Sequence, residues 1–579
     1  MKKSVNKWIF FIIFFLGIAL RLNNVNWDQN FHLHPDERFL TMVGNALRFP
    51  GNLIEYFDPD KSRLNPYNVG FKFYVYGVFP IILNKIVALI FDTDNYNDFT
   101  LQGRILSALF DAGVIILVYK IVEIFERKYK FNKKIKIYAA FFYAMTVFSI
   151  QASHFFTTDT FLNFFAIFSL YFVLKFIFEK KFLFLTLSSA LFAMAVASKI
   201  SALYIVVLNI ASFFLLIRKN KKSFFYVSFY IISYVILSYL FLRVFNPYYF
   251  DSANFLNPGI SSNFLSSLKS LRNVSNINTS FPPAIQWISK SPVFPLINIS
   301  VFGVGIFYFF LSLWGILEFL KRKKFRFGKI LVIWSCGLFI FQSFQFVKTM
   351  RYFIFLYPFL AIFASMGFYR LNRLLASTQH KNLSRVIRKM VVILVIIWPL
   401  MFSSIYFSKH VRVLASEWIY ENLESNSTIL GEHWDDSLPL PMNYQVGFKI
   451  KQLPVFDPDT SEKWRRMQKL LGEADYYVLS SNRGWGSITA LPERYPKMST
   501  FYRALLSQDC VKQKEFIGVC YKKIKEFVSY PSLCLSFLIG EKDRWGCITF
   551  PDYWAEEAFT VYDHPQVMIF KKVNERIQD

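Results

Sequence analysis

Runs of about twenty apolar residues recur along most of this chain, and no other feature constrains its fold so strongly. A helix of that length crosses the hydrocarbon core of a bilayer, and a chain inside lipid must satisfy its own backbone polar groups. Of the 579 residues, 54% are hydrophobic and 70 are Phe. The first run extends from Trp8 to Leu22, behind Lys2, Lys3 and Lys7. No small-residue cleavage site follows it, so it is expected to stay as the first span, with the N-terminus inside. Further runs fall near 101–120, 136–153, 161–178, 182–198, 201–217, 223–244, 296–320, 329–346, 352–369 and 390–408. The expected fold is a mostly α polytopic membrane protein with about eleven transmembrane helices.

Charge orients these spans. The formal net charge is +27, a value that would also suit a nucleic-acid binder. Its distribution argues otherwise, because residues 409–579 are net −1 and the first 408 are net +28. The excess sits in short loops between apolar runs, as the positive-inside rule requires. These are 120–136, Lys175/Lys180/Lys181, Arg218/Lys219/Lys221/Lys222, 321–326 and Arg370 through Lys389. Residues 71–91 are apolar and long enough to span but contain Lys72, Pro80 and Lys85. If they spanned, every later basic cluster would fall outside. They are therefore expected at the outer interface, within a first external loop of residues 24–100. A polar loop at 246–295 is a second external connector.

Residues 1–408 thus form a membrane domain, and 409–579 an extracytoplasmic α/β domain. In that tail the spacing predicts a helix from Val411 to Leu423, with Val411, Leu414, Trp418 and Leu423 on one side. Strands are expected at Thr428–Gly431, Tyr476–Leu479 and Gln566–Lys571, with a helix at 461–471. Of five cysteines, Cys336 lies in an apolar run and reads as a small buried hydrophobe. Cys510, Cys520, Cys534 and Cys547 lie outside, where one or two disulfides are expected among three possible pairings.

Chemistry concentrates at the outer face. The stretch Phe31-His32-Leu33-His34-Pro35-Asp36-Glu37-Arg38 starts a helix, with Pro35 in its first turn and two acids at its positive end. His34, Asp36, Glu37, Arg104, His154, Asp159, Lys199, Lys348 and Arg351 all come to that face. Dehydrating ionisable groups at helix ends is costly, which marks them as functional candidates. Cations there suit a phosphate whose lipid tail stays in the bilayer, and a carboxylate suits deprotonation of an acceptor hydroxyl. His32, His34, Asp36 and Glu37, joined by His154 or Asp159, have the composition of a divalent-metal site, as does Glu432-His433-Trp434-Asp435-Asp436. Neither spacing matches a metal signature, and no obligatory metal or other cofactor is expected.

The acidic pair of His34-Pro35-Asp36-Glu37 after the first span resembles the membrane glycosyltransferases of the GT-C class. The nearest groups are bacterial relatives of the protein O-mannosyltransferases and of the aminoarabinose transferase. Similar stretches are Gly103 to Phe110, His154 to Asp159 and Lys348 to Phe353. Leu414 to Tyr420, Glu432 to Asp436 and Tyr562-Asp563-His564-Pro565 resemble a bacterial subgroup with an external C-terminal domain. The resemblance implies inverting transfer from a polyprenyl-phosphate sugar to a protein, glycan or lipid hydroxyl. In that scheme Asp36 is the base, and Glu37 shares the role or orients the acceptor. Arg104, Lys199 and Arg351, with Lys348, hold the phosphate, and Asp159 fixes the sugar or braces Arg104. Only one carboxylate is needed, since phosphate is already a competent leaving group. A transporter or flippase is the alternative from another class, because intramembrane charges suit it too; against it stand the gathering of charges on one face and the lack of paired halves.

Overall fold

The computed structural model describes residues 2–217, 221–534 and 546–573. Arg218 and Lys219 of one expected basic loop lie outside the described residues. Every expected apolar run coincides with a helix or a bent helix pair. Among the described residues, four helical stretches are long and apolar enough to span unaided: Tyr96–Tyr129, Thr158–Glu179, Phe224–Phe245 and Lys381–Asn422. The number rises to six if Lys134–Ala144 with Val147–Ser153, and Phe294–Gly303 with Ile306–Lys321, each count as one span. Among the described residues, length and composition thus support four to six crossings, fewer than the eleven expected. Residues 71–91 contain only the 13-residue helix Phe79–Phe91. At 1.5 Å per residue it extends about 20 Å, too short to cross a core of about 30 Å.

The bend at Ala144 has a visible cause. Breaking a helix frees carbonyls, and those of Tyr143 and Ala144 accept from the guanidinium of Arg21, at 3.3 and 3.1 Å. Arg21 is fully buried and is neutralised by Asp111 at 2.6 Å. A charged pair inside the bundle therefore replaces the hydrogen bonds the break removes. Elsewhere the helices approach through small residues. A Cβ on Gly315 would sit 1.8 Å from the Phe363 carbonyl oxygen, so helices Ile306–Lys321 and Leu356–Ala376 pack backbone to backbone.

The two ends of the bundle differ. At one, Phe325 meets the rings of Phe125, Tyr129, Phe131 and Phe319, while Lys136 pairs with Glu123 and Glu126 at 2.9 Å. The described basic loops at 120–136 and 321–326 gather here. Helix Tyr96–Tyr129 carries Arg104 at the other end, about 37 Å away along its axis.

At Arg104's end a five-stranded sheet packs onto the bundle. Its order is Lys449–Leu453, Thr428–Glu432, Tyr476–Leu479, Val567–Val573, Cys520–Phe527, with the first three strands parallel and the last two pairings antiparallel. Helix Val411–Asn422 leads into it, burying Val411, Val413, Ala415 and Ile419. Of the four residues the apolar spacing put on one side, Val411 and Leu423 are buried and Trp418 packs against the core, whereas Leu414 is more than one-third exposed. Disulfides join Cys510 to Cys520 and Cys534 to Cys547. Cys336 is exposed on its apolar helix, correcting its expected burial; on a lipid-facing surface an apolar side chain need not point inward.

Candidate functional site

Two charge clusters form side by side at the sheet-covered end. His34 caps helix Pro35–Ala46, its Nδ1 accepting from the Glu37 N–H at 3.3 Å, and Pro35 occupies the first turn. Asp36 and Glu37 follow as neighbours but project to different sides, since consecutive helical residues do not share a face.

Asp36 turns toward a turn of 3₁₀ helix, Met350–Phe353, and accepts from Nη1 of Arg351. Arg351 Nε donates to Asp159 Oδ2 at 2.5 Å, and Lys199 Nζ donates to Asp159 Oδ1 at 2.8 Å. These four groups come from positions up to 315 residues apart. Asp159 lies in the first turn of helix Thr158–Glu179, where Thr157 takes the N-cap position. Lys199 ends helix Phe182–Ser198 at the expected turn. Asp36 is 34% exposed and Arg351 24%, so the pair is not sealed by the fold. Arg351 Nη2 is buried and has no partner among the described residues. Burial alone would raise the Asp36 carboxyl, but the charge and hydrogen bond of Arg351, aided by His34 and Lys199, hold it well below the usual carboxylate range.

Glu37 faces the other way, onto Arg104. Both Glu37 oxygens accept from Arg104, Nε at 2.9 Å. Asp28 grips the same guanidinium at 2.8 and 3.0 Å, and Trp27 covers its face at 4.8 Å. The Phe156 N–H completes Glu37 at 2.7 Å. All three charged side chains are about 1% exposed or less. Asp159 therefore braces Arg351 and Lys199 rather than Arg104, because Arg104 has its own two acids. Glu37 is fully used in that clamp and presents no free oxygen to an acceptor.

His154 is likewise enclosed. Its ring nitrogens lie 2.8 Å from the carbonyls of Ile150 and Asn23, and its ring stacks on Tyr406 at 3.7 Å. Lys348 is buried and donates to the Phe346 carbonyl at 3.1 Å, without joining the carboxylate cluster.

Tyr76 is a site residue that the sequence reading missed. The backbone of Gly77 lies so close to helix Phe182–Ser198 that a Cβ there would sit 1.7 Å from the Ala197 carbonyl oxygen, and the Gly77 N–H donates to Ser198 at 3.0 Å. This contact delivers Tyr76 to the cluster, where its hydroxyl feels Asp36, Arg351, Asp159 and Tyr352; burial is the largest cause of its raised pKa. The signal was the Tyr-Gly step inside an interfacial loop, too common to single out. Asp28, eight residues before Asp36, was the other omission.

A cavity of about 220 Å³ opens beside the open cluster. Its wall includes His34, Asp159, Arg351, Trp287, Glu557 and Tyr562, so the bundle, the 246–295 loop and the tail all contribute. His34 packs its ring against Phe155 and Tyr562, and burial pushes its pKa down to about 4. The acidic stretch 432–436 lies against the same region as an ion-pair hub: Arg412 holds Asp435 and Asp436 at 2.7 Å each, and Arg38 reaches Asp436 at 3.3 Å. Among the described residues no three His, Cys, Asp or Glu side chains converge as a metal site.

Residues 80–242 match the family described as dolichyl-phosphate-mannose-protein mannosyltransferase. No curated protein matches the chain in sequence. The oligosaccharyltransferase of Archaeoglobus fulgidus in its apo form is 14% identical, with 99% of this chain and 89% of that one covered, and a TM-score of 0.52. The same enzyme tethered to an acceptor peptide is 13% identical over the same shares, also with a TM-score of 0.52. ArnT from Cupriavidus metallidurans in the apo state is 15% identical over 82% of this chain and 93% of that one, with a TM-score of 0.45, too loose an overlap to bear on the site. The chain thus shares its overall fold with the Archaeoglobus fulgidus oligosaccharyltransferase.

Proposed function

We propose that this integral membrane protein is a glycosyltransferase, moving a sugar from a polyprenyl-phosphate donor to an acceptor hydroxyl with inversion at the anomeric carbon. The observation that carries the reading is the open cluster: one partly exposed carboxylate, Asp36, joined to a cation, Arg351, whose Nη2 has no partner among the described residues. The match to a lipid-phosphate sugar transferase family over residues 80–242 supports it.

Arg351 and Lys199 bind the donor phosphate, with the hydroxyls of Tyr76 and Tyr352 at its edge. Phosphate oxygens compete with Asp36 for Arg351. The carboxylate so released is a stronger base than it is in the ion pair. The acceptor oxygen attacks the anomeric carbon while its proton passes to Asp36. The bond from that carbon to the phosphate oxygen breaks, and its electron pair leaves on the phosphate, where Arg351 and Lys199 stabilise the charge. Asp159 keeps both cations aimed. Arg104, Glu37 and Asp28 hold the helix start in place, and the cavity beside Arg351 receives the acceptor.

In this reading 1–408 form the membrane domain with eleven crossings, and 409–579 lie outside the cytoplasmic membrane. The two disulfides and the basic loops at the far end of the bundle support that orientation. The transport alternative gains no support, since the inner pair Arg21–Asp111 is closed and fully buried. Mass spectrometry of envelope proteins, glycans and lipids from cells with and without the chain tests the proposal. A sugar-sized mass difference in one pool is expected and names both sugar and acceptor; unchanged pools together with lipid-scrambling activity in vesicles overturn it.

A further inference from the structure

The turn that carries Arg351 is not held by the membrane helices alone. Glu556, from the tail, is only 2% exposed and spans this turn with both oxygens. Its Oε1 accepts from the Thr349 hydroxyl at 2.6 Å, and its Oε2 accepts from the Met350 N–H at 2.8 Å. The Thr349 oxygen in turn accepts from the Arg351 N–H at 3.4 Å. The Glu556 N–H donates to Asn298 at 2.8 Å, fixing the carboxylate from its other side. Its neighbour Glu557 accepts from Arg483 at 2.7 Å and from Gln286 at 2.9 Å. The Glu556-Glu557 pair thus ties the cation-bearing turn to the outer wall of the cavity, which both residues line.

We propose that Glu556 is a positioning residue through which the C-terminal sheet domain sets the Arg351 guanidinium for the donor phosphate. The proposal rests on the reading of Arg351 as the phosphate-binding cation. Burying a carboxylate that no lysine or arginine among the described residues contacts is costly, and packing alone would be met by an apolar side chain. What the site uses is an acceptor-only group facing two convergent donors. Burial pushes Glu556 up to about 7, against the hydrogen bonds from Thr349 and Met350; Glu557 beside it adds to the rise, Arg483 neutralises Glu557, and Tyr357 faces it from helix Leu356–Ala376. Protonation places a hydroxyl where two donors already point, so the turn loosens as pH falls through 7.

The test uses the purified full chain in detergent, titrated with undecaprenyl phosphate between pH 6 and 8, with thermal unfolding recorded alongside. Glu556→Ala is expected to weaken binding about tenfold or more at pH 8 while remaining folded. Glu556→Gln is expected to restore it to within about threefold, because the amide oxygen still accepts from Met350. Thr349→Val removes the same relay from the other side and weakens binding in the same direction. Wild-type affinity falls below pH 7 by more than in Glu556→Gln, a comparison that cancels titration of the phosphate itself. Wild-type affinity in a folded Glu556→Ala or Thr349→Val chain, or equal pH profiles for wild type and Glu556→Gln, overturns the proposal. Failure of the wild-type chain to bind the lipid at all instead overturns the glycosyltransferase reading, and this inference with it.

Discussion

Asp36 and Glu37 are adjacent in sequence, yet the fold gives them opposite surroundings. Glu37 is sealed against Arg104, whose charge is balanced by two acids and whose hydrogen-bonding capacity goes to Asp28, Glu37 and the Val25 carbonyl. Asp36 is one-third exposed against Arg351, whose Nη2 lacks a partner among the described residues and lies beside a cavity. The difference comes from helical phase, about 100° per residue, acting on a helix start whose position His34 and Pro35 fix. A saturated cluster anchors the fold, whereas an unsaturated one beside open space can bind and react. The same residue types serve both ends, and only the count of partners separates them.

That contrast can be broken experimentally. The largest effect is expected for Arg351→Ala, which removes the cation proposed to hold the leaving phosphate. Turnover should fall about 10²–10³-fold with unfolding temperature nearly unchanged, read by sugar transfer and thermal unfolding on the same sample. Arg104→Met should show the reverse pattern. It leaves Glu37 and Asp28 buried without compensation and should cost about 3–5 kcal/mol of stability, seen as lost yield and earlier unfolding. If Arg104→Met were instead fully stable and inactive, the two clusters would have to exchange roles.

A third cluster sharpens the point. His564 is buried between Asp552 at 2.8 Å and Asp563 at 2.5 Å, and Asp563 also accepts from Tyr406 and Gln151 of the helical bundle. Burial alone would lower the imidazole pKa, but the two carboxylates raise it to about 10. Its folded pKa therefore lies above the ordinary value near 6.5. Its contribution to stability is full below that value and is lost as pH rises through about 10. Thermal unfolding from pH 6 to 10 should show wild type losing more stability than His564→Gln; parallel curves would remove the clamp from the account. The smallest effect belongs to Arg38→Ala. Its side chain is 41% exposed and its bond to Asp436 is 3.3 Å long, so about 1 kcal/mol or less is expected.

Much of this architecture was legible in the sequence. Basic loops set the expected orientation of the apolar runs, and that alone placed Asp36, Asp159, Lys199 and Arg351 at one end, where the structure brings them together. The strand at Tyr476–Leu479 and the helix near 461–471 were also readable, from short apolar and amphipathic spacing. Pairing was not legible. Nothing in a linear pattern assigns Arg104 to Glu37 and Asp28 instead of Asp159, because that choice depends on helix rotation and on the loop 23–34 folding back. Arg21 and Asp111 were hidden for a similar reason: the helix break they compensate lies more than thirty residues from either. Tyr76 reaches the site only through the close backbone contact at Gly77, and Glu556 only through docking of the tail.

The central claim, that Asp36 is the base and Glu37 an anchor, meets its most direct test in transfer from a polyprenyl-phosphate sugar by purified wild-type and Asp36→Asn chains. The account predicts a folded Asp36→Asn protein that still binds undecaprenyl phosphate but transfers sugar about 10²–10⁴-fold more slowly. Transfer by folded Asp36→Asn at near the wild-type rate would contradict it.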